Sequence, residues 1–234
     1  MEKFGIWIGF IGMTIGAVIF GIRAVSMRLN KGVGFAINSF FITLWAATIY
    51  LSMALGQTVI PKTLIPNLYD HPIYWGHYVD WIITTPLLLL DIGILAGVGP
   101  KLLAGIVGAD IYMIITGAAA TFTPSSLQWI WYILSTGAFT AILLQLLTVF
   151  SASARRRNSK IANLFTTLRN LLIVLWITYP IIWLIGVEGL KLIGSGLEVL
   201  LYVIVDFIAK VGFGLVLLKD TQVLEMATKK SASQ

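Results

Sequence analysis

The chain contains no cysteine, which excludes a disulfide framework, a thiolate metal site and dithiol redox chemistry. Charge is scarce as well: 11% of the 234 residues are Asp, Glu, Lys or Arg, against 58% apolar, and the mean hydropathy is +0.92. These values lie well outside the range of soluble domains and mark a membrane protein. Metal catalysis has no support in the composition, and neither a metal nor an enzymatic activity is expected. The net charge of +6 would suit a nucleic-acid partner, but basic residues in a membrane protein mark the cytoplasmic loops, so their positions matter more than their sum. No nucleic-acid partner is expected. A chain of this length holds about seven spans of roughly 20 residues with short connections, so a single domain over 1–234 is expected.

Apolar runs fall at about 4–24, 34–55, 74–97, 101–121, 126–151, 163–186 and 195–218, each about long enough to cross a hydrocarbon core as a helix. They are separated by Asn30-Lys31-Gly32, by a 56–73 stretch with Pro61, Pro66 and Pro72, by Gly99-Pro100, by Thr123-Pro124-Ser125, by Arg155 to Lys160 and by Gly186 to Gly196. Alternation in Thr58–Leu64 is compatible with a small hairpin. The first run is followed by Arg23 rather than by a small-residue cleavage site, so it reads as a span and not as a signal peptide. The fold class is therefore all-α membrane, a seven transmembrane helix bundle.

Basic residues orient it. With the N-terminus outside and the C-terminus cytoplasmic, the cytoplasmic side receives Arg23, Arg28, Lys31, Lys101, Arg155, Arg156, Arg157, Lys160, Arg169, Lys219, Lys229 and Lys230, and the outside only Lys3, Lys62 and Lys191. Twelve against three satisfies the positive-inside rule in this direction alone. The location implied is a multi-pass protein of the cell membrane.

Five ionisable residues remain inside the spans: Asp80, Asp91, Asp110, Asp206 and Lys210. A charge at the bilayer centre costs at least about 2.5–3.5 kcal/mol, so these groups should face the bundle interior and carry function. Asp206 and Lys210, four residues apart, are equally compatible with a buried structural ion pair. Helix three tips the balance. Asp80, Thr84 and Asp91 project from nearly one face, with the two carboxyls roughly 16 Å apart along it. Asp80 then lies towards the exterior and Asp91 towards the cytoplasm, on either side of a central lysine, which is what one-way proton transfer requires. Trp81, Trp176 and Tyr179 sit too deep in their spans for an interface belt and suit the walls of a long planar ligand.

The segments Tyr50-Leu-Ser-Met, Tyr78-Val-Asp-Trp-Ile-Ile-Thr-Thr-Pro-Leu-Leu-Leu-Leu-Asp91, Val107-Gly-Ala-Asp110, Trp176 to Glu188 and Asp206 to Gly214 together resemble the microbial rhodopsins, and within them the bacteriorhodopsin-like proton pumps. The resemblance implies all-trans retinal bound covalently at Lys210 as a Schiff base, with Asp80 and Asp206 as counter-ions. It implies that Asp80 is the primary proton acceptor, hydrogen-bonded by Thr84, and that Asp91 is the cytoplasmic donor, kept protonated in the dark by an apolar setting with Ser39 as a hydroxyl partner. Tyr50 and Tyr179 resemble tyrosines that bond near Asp206. Trp81, Leu88, Met113, Gly117, Trp131, Tyr132, Trp176, Pro180 and Trp183 resemble the retinal pocket, and Asp110 a polar residue near its ring. Glu188 and Glu198 resemble the pair that shares the released proton.

Two positions depart from the family. His77 stands where an arginine is usual; arginine stays charged while histidine titrates at about 6.5, so coupling of the acceptor to the release pair becomes pH-dependent unless His77 is only a space-filling polar group. Tyr132 stands where some members carry a glycine that opens the wall to a carotenoid, which argues against such an antenna. A light-driven outward proton pump, working with protons and internal water in membrane lipid as a homo-oligomer, is the reading these features imply. A sensory photoreceptor of the same fold is the alternative, with Asp91 favouring the pump. A chloride or sodium pump would change the helix-three carboxyl pattern, and a secondary transporter would show an internal repeat.

Overall fold

The computed structural model describes residues 2–64, 71–123 and 125–229. Seven helices are long and apolar enough to cross a membrane: α1 Glu2–Ser26, α2 Val33–Ala54, α3 Gly76–Ala96, α4 Pro100–Thr121, α5 Gln128–Ala154, α6 Ser159–Ile185 and α7 Ser195–Leu217. Their ends lie within four residues of the expected runs. An eighth helix, α8 Thr221–Lys229, follows and was not legible in the hydropathy pattern, because it lies on the bundle rather than crossing it. The 56–73 connection carries a 3-10 turn at Lys62–Leu64 and one antiparallel bridge, Ile60 to Ile73, so the pairing expected within Thr58–Leu64 is made with a later residue instead. Pro66, Pro124 and Lys230, which figured in the expected breaks and charge count, lie outside the described residues.

Turn chemistry accounts for the sharp connection between α3 and α4. Gly97 closes α3 in the left-handed conformation at φ 69°, and Pro100 opens α4 where a missing N–H costs nothing. A Cβ at Gly97 would also lie 2.7 Å from Arg157 Nη1 and push that side chain aside. Arg157 in turn donates to the Ala227 carbonyl at 2.6 Å, and Arg23 to the Leu218 carbonyl at 3.1 Å. These bonds tie α8 and the end of α7 to the end of the bundle that bears the basic connections.

Burial is uneven among the spans. In α3, 61% of the most apolar 18-residue window is buried and in α7 56%, against 22% in α4 and in α5. The two most buried helices thus carry four of the five ionisable residues, Asp80, Asp91, Asp206 and Lys210; the fifth, Asp110, is buried on α4. Helix α1 packs closely through small residues. A Cβ at Gly9 would meet the Tyr50 ring at 2.6 Å, and one at Gly16 would meet Val211 at 2.7 Å. Two spans contain a wider π turn, Leu146–Phe150 in α5 and Ile208–Gly212 in α7. The second contains Lys210, and its extra residue shifts the register beyond it by about 100° from a straight helix.

Candidate functional site

The i, i+4 spacing in α7 brings Lys210 and Asp206 together, and α3 supplies a second carboxyl. Lys210 Nζ donates to Asp206 Oδ1 at 2.6 Å and lies 2.8 Å from Asp80 Oδ2. All three are buried, at 2%, 0% and 1% exposure respectively. The two carboxylates differ in their support. Asp206 also accepts from Tyr50 OH at 2.8 Å, Tyr179 OH at 2.6 Å and Trp81 Nε1 at 3.1 Å, so α2, α6 and α3 all hold it. Apart from its ion pair with Lys210, Asp80 has no hydrogen-bond partner for either carboxyl oxygen among the described residues. The Thr84 hydroxyl donates to the main-chain carbonyl of Asp80 at 2.9 Å, the back-bond to residue i−4 that threonine favours inside a helix, and it remains beside the Asp80 carboxyl.

Beside the ion triad lies a cavity of about 690 Å³ of space between atoms, its open side included. Three helices line it with one face each, at i, i+3, i+4, i+7: Tyr132, Ser135, Thr136 and Phe139 from α5, Trp176, Tyr179, Pro180 and Trp183 from α6, and a similar set including Met113 and Gly117 from α4. Tyr78, Trp81 and Thr85 of α3 and Tyr202 of α7 complete it. Ser135, Thr136 and Phe139 did not stand out in the sequence, although the helical spacing from Tyr132 was the signal that could have found them. Tyr132 stacks on Trp183 with ring centroids 4.8 Å apart and donates to the Pro180 carbonyl at 3.1 Å. Behind Thr85, Asp110 is fully buried and accepts the Thr85 hydroxyl at 2.7 Å.

Two expected wall residues are placed otherwise. Trp131 is 38% exposed and lies outside the lining, because α5 presents one narrow face to the bundle and Trp131, about 100° from Tyr132, falls off it. Leu88 is buried in the apolar core beyond Thr85 rather than at the cavity surface.

A smaller cavity of about 380 Å³ adjoins the first and is lined by His77, Glu188, Ser195 and Glu198 together with Tyr78, Trp81 and Tyr202 of the shared wall. The Val187 N–H donates to Glu198 Oε2 at 3.0 Å; Glu198 Oε1 and Glu188 Oε2 are buried with no other donor among the described residues, and the two carboxyls lie close enough to interact with each other. His77 is 4% exposed, stacks on Trp81 with centroids 5.6 Å apart, and has no hydrogen-bond partner for either ring nitrogen among the described residues. On the other side of the triad, Asp91 is 2% exposed. The Ser39 hydroxyl expected beside it has no hydrogen-bond partner among the described residues, and the polar side chain of α2 next to the Asp91 carboxyl is Asn38, bonded to the Leu87 carbonyl and not singled out in the sequence.

Comparison with known proteins places this arrangement. Residues 1–224 match the family described as bacteriorhodopsin-like protein. A bacteriorhodopsin of Haloterrigena sp. is 40% identical over 99% of this chain and 93% of its own length. Among solved structures, a cyanorhodopsin from the cyanobacterium Tolypothrix sp. NIES-4075 is 54% identical, covers 97% of both chains and superposes with a TM-score of 0.92. A thermophilic rhodopsin from Rubrobacter xylanophilus is 38% identical over 98% of this chain and all of its own, with a TM-score of 0.90. With similarity of sequence and of fold over nearly its whole length, the chain belongs to the bacteriorhodopsin-like family of microbial rhodopsins, multi-pass membrane proteins.

Proposed function

We propose that the chain is a light-driven outward proton pump that carries all-trans retinal as a Schiff base on Lys210. The observation that carries this reading is a buried lysine held by two carboxylates at the rim of an aromatic cavity. The residues fit the group: the walls are flat and apolar, Gly117 leaves room where a side chain would intrude, and the cavity meets the ion triad through Trp81 and Tyr179. Retinal, when bound as a protonated imine, supplies light absorption and a positive nitrogen whose hold on its proton changes with the shape of the polyene.

The chain's own residues set the direction. Asp206, held by four donors, keeps its charge, since each of those bonds favours the carboxylate. Asp80, with Lys210 as its one ion-pair partner and fewer donors around it than Asp206 has, is the carboxylate that a proton neutralises at lower cost, which supports it as the acceptor. Asp91 sits in an apolar surround on the side of the basic connections and holds a proton in reserve. The charge bias of the connections supports a cytoplasmic position for that side, so protons move outward. His77 and the Glu188–Glu198 pair share the smaller cavity on the opposite side, which supports them as the route of release. The fold is shared with sensory photoreceptors; the buried Asp91 is the feature that favours transport.

Cells making the protein with added retinal should acidify their medium in the light, and a protonophore should abolish the effect. Alkalinisation would reverse the assigned direction, and no light-dependent change in cells containing the pigment would leave the sensory reading. The His77 ring, without a hydrogen-bond partner among the described residues, leads to a second expectation: His77→Arg places a permanent charge between Asp80 and the glutamate pair and should advance proton release relative to uptake. A pH-indicator dye followed after a flash reads the order, and an unchanged order would reduce His77 to a space-filling group.

A further inference from the structure

Asp91 has an Oδ2 with no hydrogen-bond partner among the described residues. Its neighbours along α3, Leu88, Leu89, Ile92 and Leu95, are buried and apolar. A carboxyl in such a place needs a polar contact, both to hold its rotamer and to support its charge once it has given up a proton. Ser39 makes no such contact. One residue earlier, about 100° round α2, stands Asn38. Its Nδ2 donates across the helix interface to the Leu87 carbonyl at 2.9 Å, a bond that sets the carboxamide beside the turn bearing the Asp91 carboxyl. Leu87 precedes Asp91 by four residues, so Asn38 grips the helical turn from which the carboxyl projects.

A second bond shows that this grip belongs to a larger device. Trp45, two turns further along the same face of α2, donates from Nε1 to the Val79 carbonyl at 3.1 Å. The two helices run antiparallel, so Asn38 and Trp45 hold α3 at Leu87 and Val79, on either side of Pro86. Proline has no N–H to give to the helical ladder, and α3 is least able to keep its own register there.

We propose that Asn38 is the positioning residue for Asp91. One amide hydrogen is anchored on the Leu87 carbonyl, and the other is donated to the Asp91 carboxylate as it forms. A carboxamide has two such hydrogens, and a bond to a charged acceptor is the stronger kind, so the contact assists departure of the proton more than its storage. Ser39 does not substitute for it.

This inference rests on the donor role given to Asp91 under the proposed function, and its test separates the two. The full chain with bound retinal is compared, after a flash, as wild type, Asn38→Leu, Asn38→Ser, Ser39→Ala and Asp91→Asn, with infrared difference spectra of the carboxylic C=O stretch. Asn38→Leu should slow recovery of the visible band about tenfold, the scale of one hydrogen bond to a charged group. Azide, as a mobile donor, should restore the speed. The Asp91 C=O stretch should move to higher frequency, and the dark absorption band should stay in place because Asn38 is not in the cavity wall. Asn38→Ser, too short to reach, should behave alike if the leucine variant fails to fold. An unmoved C=O stretch with unchanged recovery in a folded Asn38 variant would overturn the proposal, as would a larger slowing in Ser39→Ala than in Asn38→Leu. Wild-type recovery in Asp91→Asn would instead remove the donor role, and the C=O stretch alone would then decide whether Asn38 supports this carboxyl.

Discussion

Replacing Lys210 by alanine should abolish the visible absorption band entirely while leaving seven helices in the membrane. Lys210 is the one buried lysine among the described residues; it sits behind Trp81 and Tyr179 of the cavity wall, both bonded to its partner Asp206, and none of the lining residues is a lysine, so no other attachment point is at hand among the described residues. The substitution also leaves Asp80 and Asp206 as neighbouring carboxyls without their cation. Removing one partner from a buried charge pair costs about 3–5 kcal/mol when the remaining charge is not neutralised, so one carboxyl should take up a proton instead. Lys210→Arg separates chemistry from folding: it keeps the positive charge between the two carboxylates but offers no amine that forms a stable imine. Both variants should be colourless with added retinal, with helical content judged by circular dichroism. Wild-type colour in either folded variant would end the assignment of Lys210.

The second large effect is expected at Asp80. Asp80→Asn should reduce light-driven proton transport by more than about 100-fold, the lower end of what a positioned proton acceptor contributes. It should also shift the visible band to the red, because removing a counter-charge lessens stabilisation of the positive ground state. Asp206 cannot take over, since Tyr50, Trp81 and Tyr179 already donate to it alongside Lys210. Those bonds should remain in the variant, so its pigment should form in normal yield. Transport measured in vesicles at more than half the wild-type rate would show that another group accepts the proton.

These expectations draw on two kinds of information, and the residues show where one passes into the other. Hydropathy alone located the seven spans, since twenty apolar residues in sequence have few other stable fates. The isolated ionisable residues inside those spans pointed to the site, because a charge in a bilayer is too costly to be incidental. The thin signals were the ones that misled. Trp131 and Tyr132 are adjacent aromatics of similar bulk, yet one faces lipid and the other stacks on Trp183. Ser39 and Asn38 are adjacent polar residues, and the one next to the Asp91 carboxyl is the amide. In both pairs a turn of about 100° decides the outcome, and composition does not report helix rotation.

What the sequence by itself determined is therefore the membrane class, the number of spans, the asymmetry of basic charge and the set of residues able to form an ion triad with a carboxyl on either side. Each follows from transfer free energies and from the 3.6-residue period, which act locally along the chain. What only the tertiary structure decided is which partners these residues find: four donors on Asp206 and one cation on Asp80, the ring of His77 without a partner among the described residues, the π turn at Lys210, and α8 bound by Arg157. Those outcomes depend on the rotation and register of one helix against another. They are set by close packing of glycines, aromatics and interhelical hydrogen bonds that are far apart in sequence, and no local period encodes them.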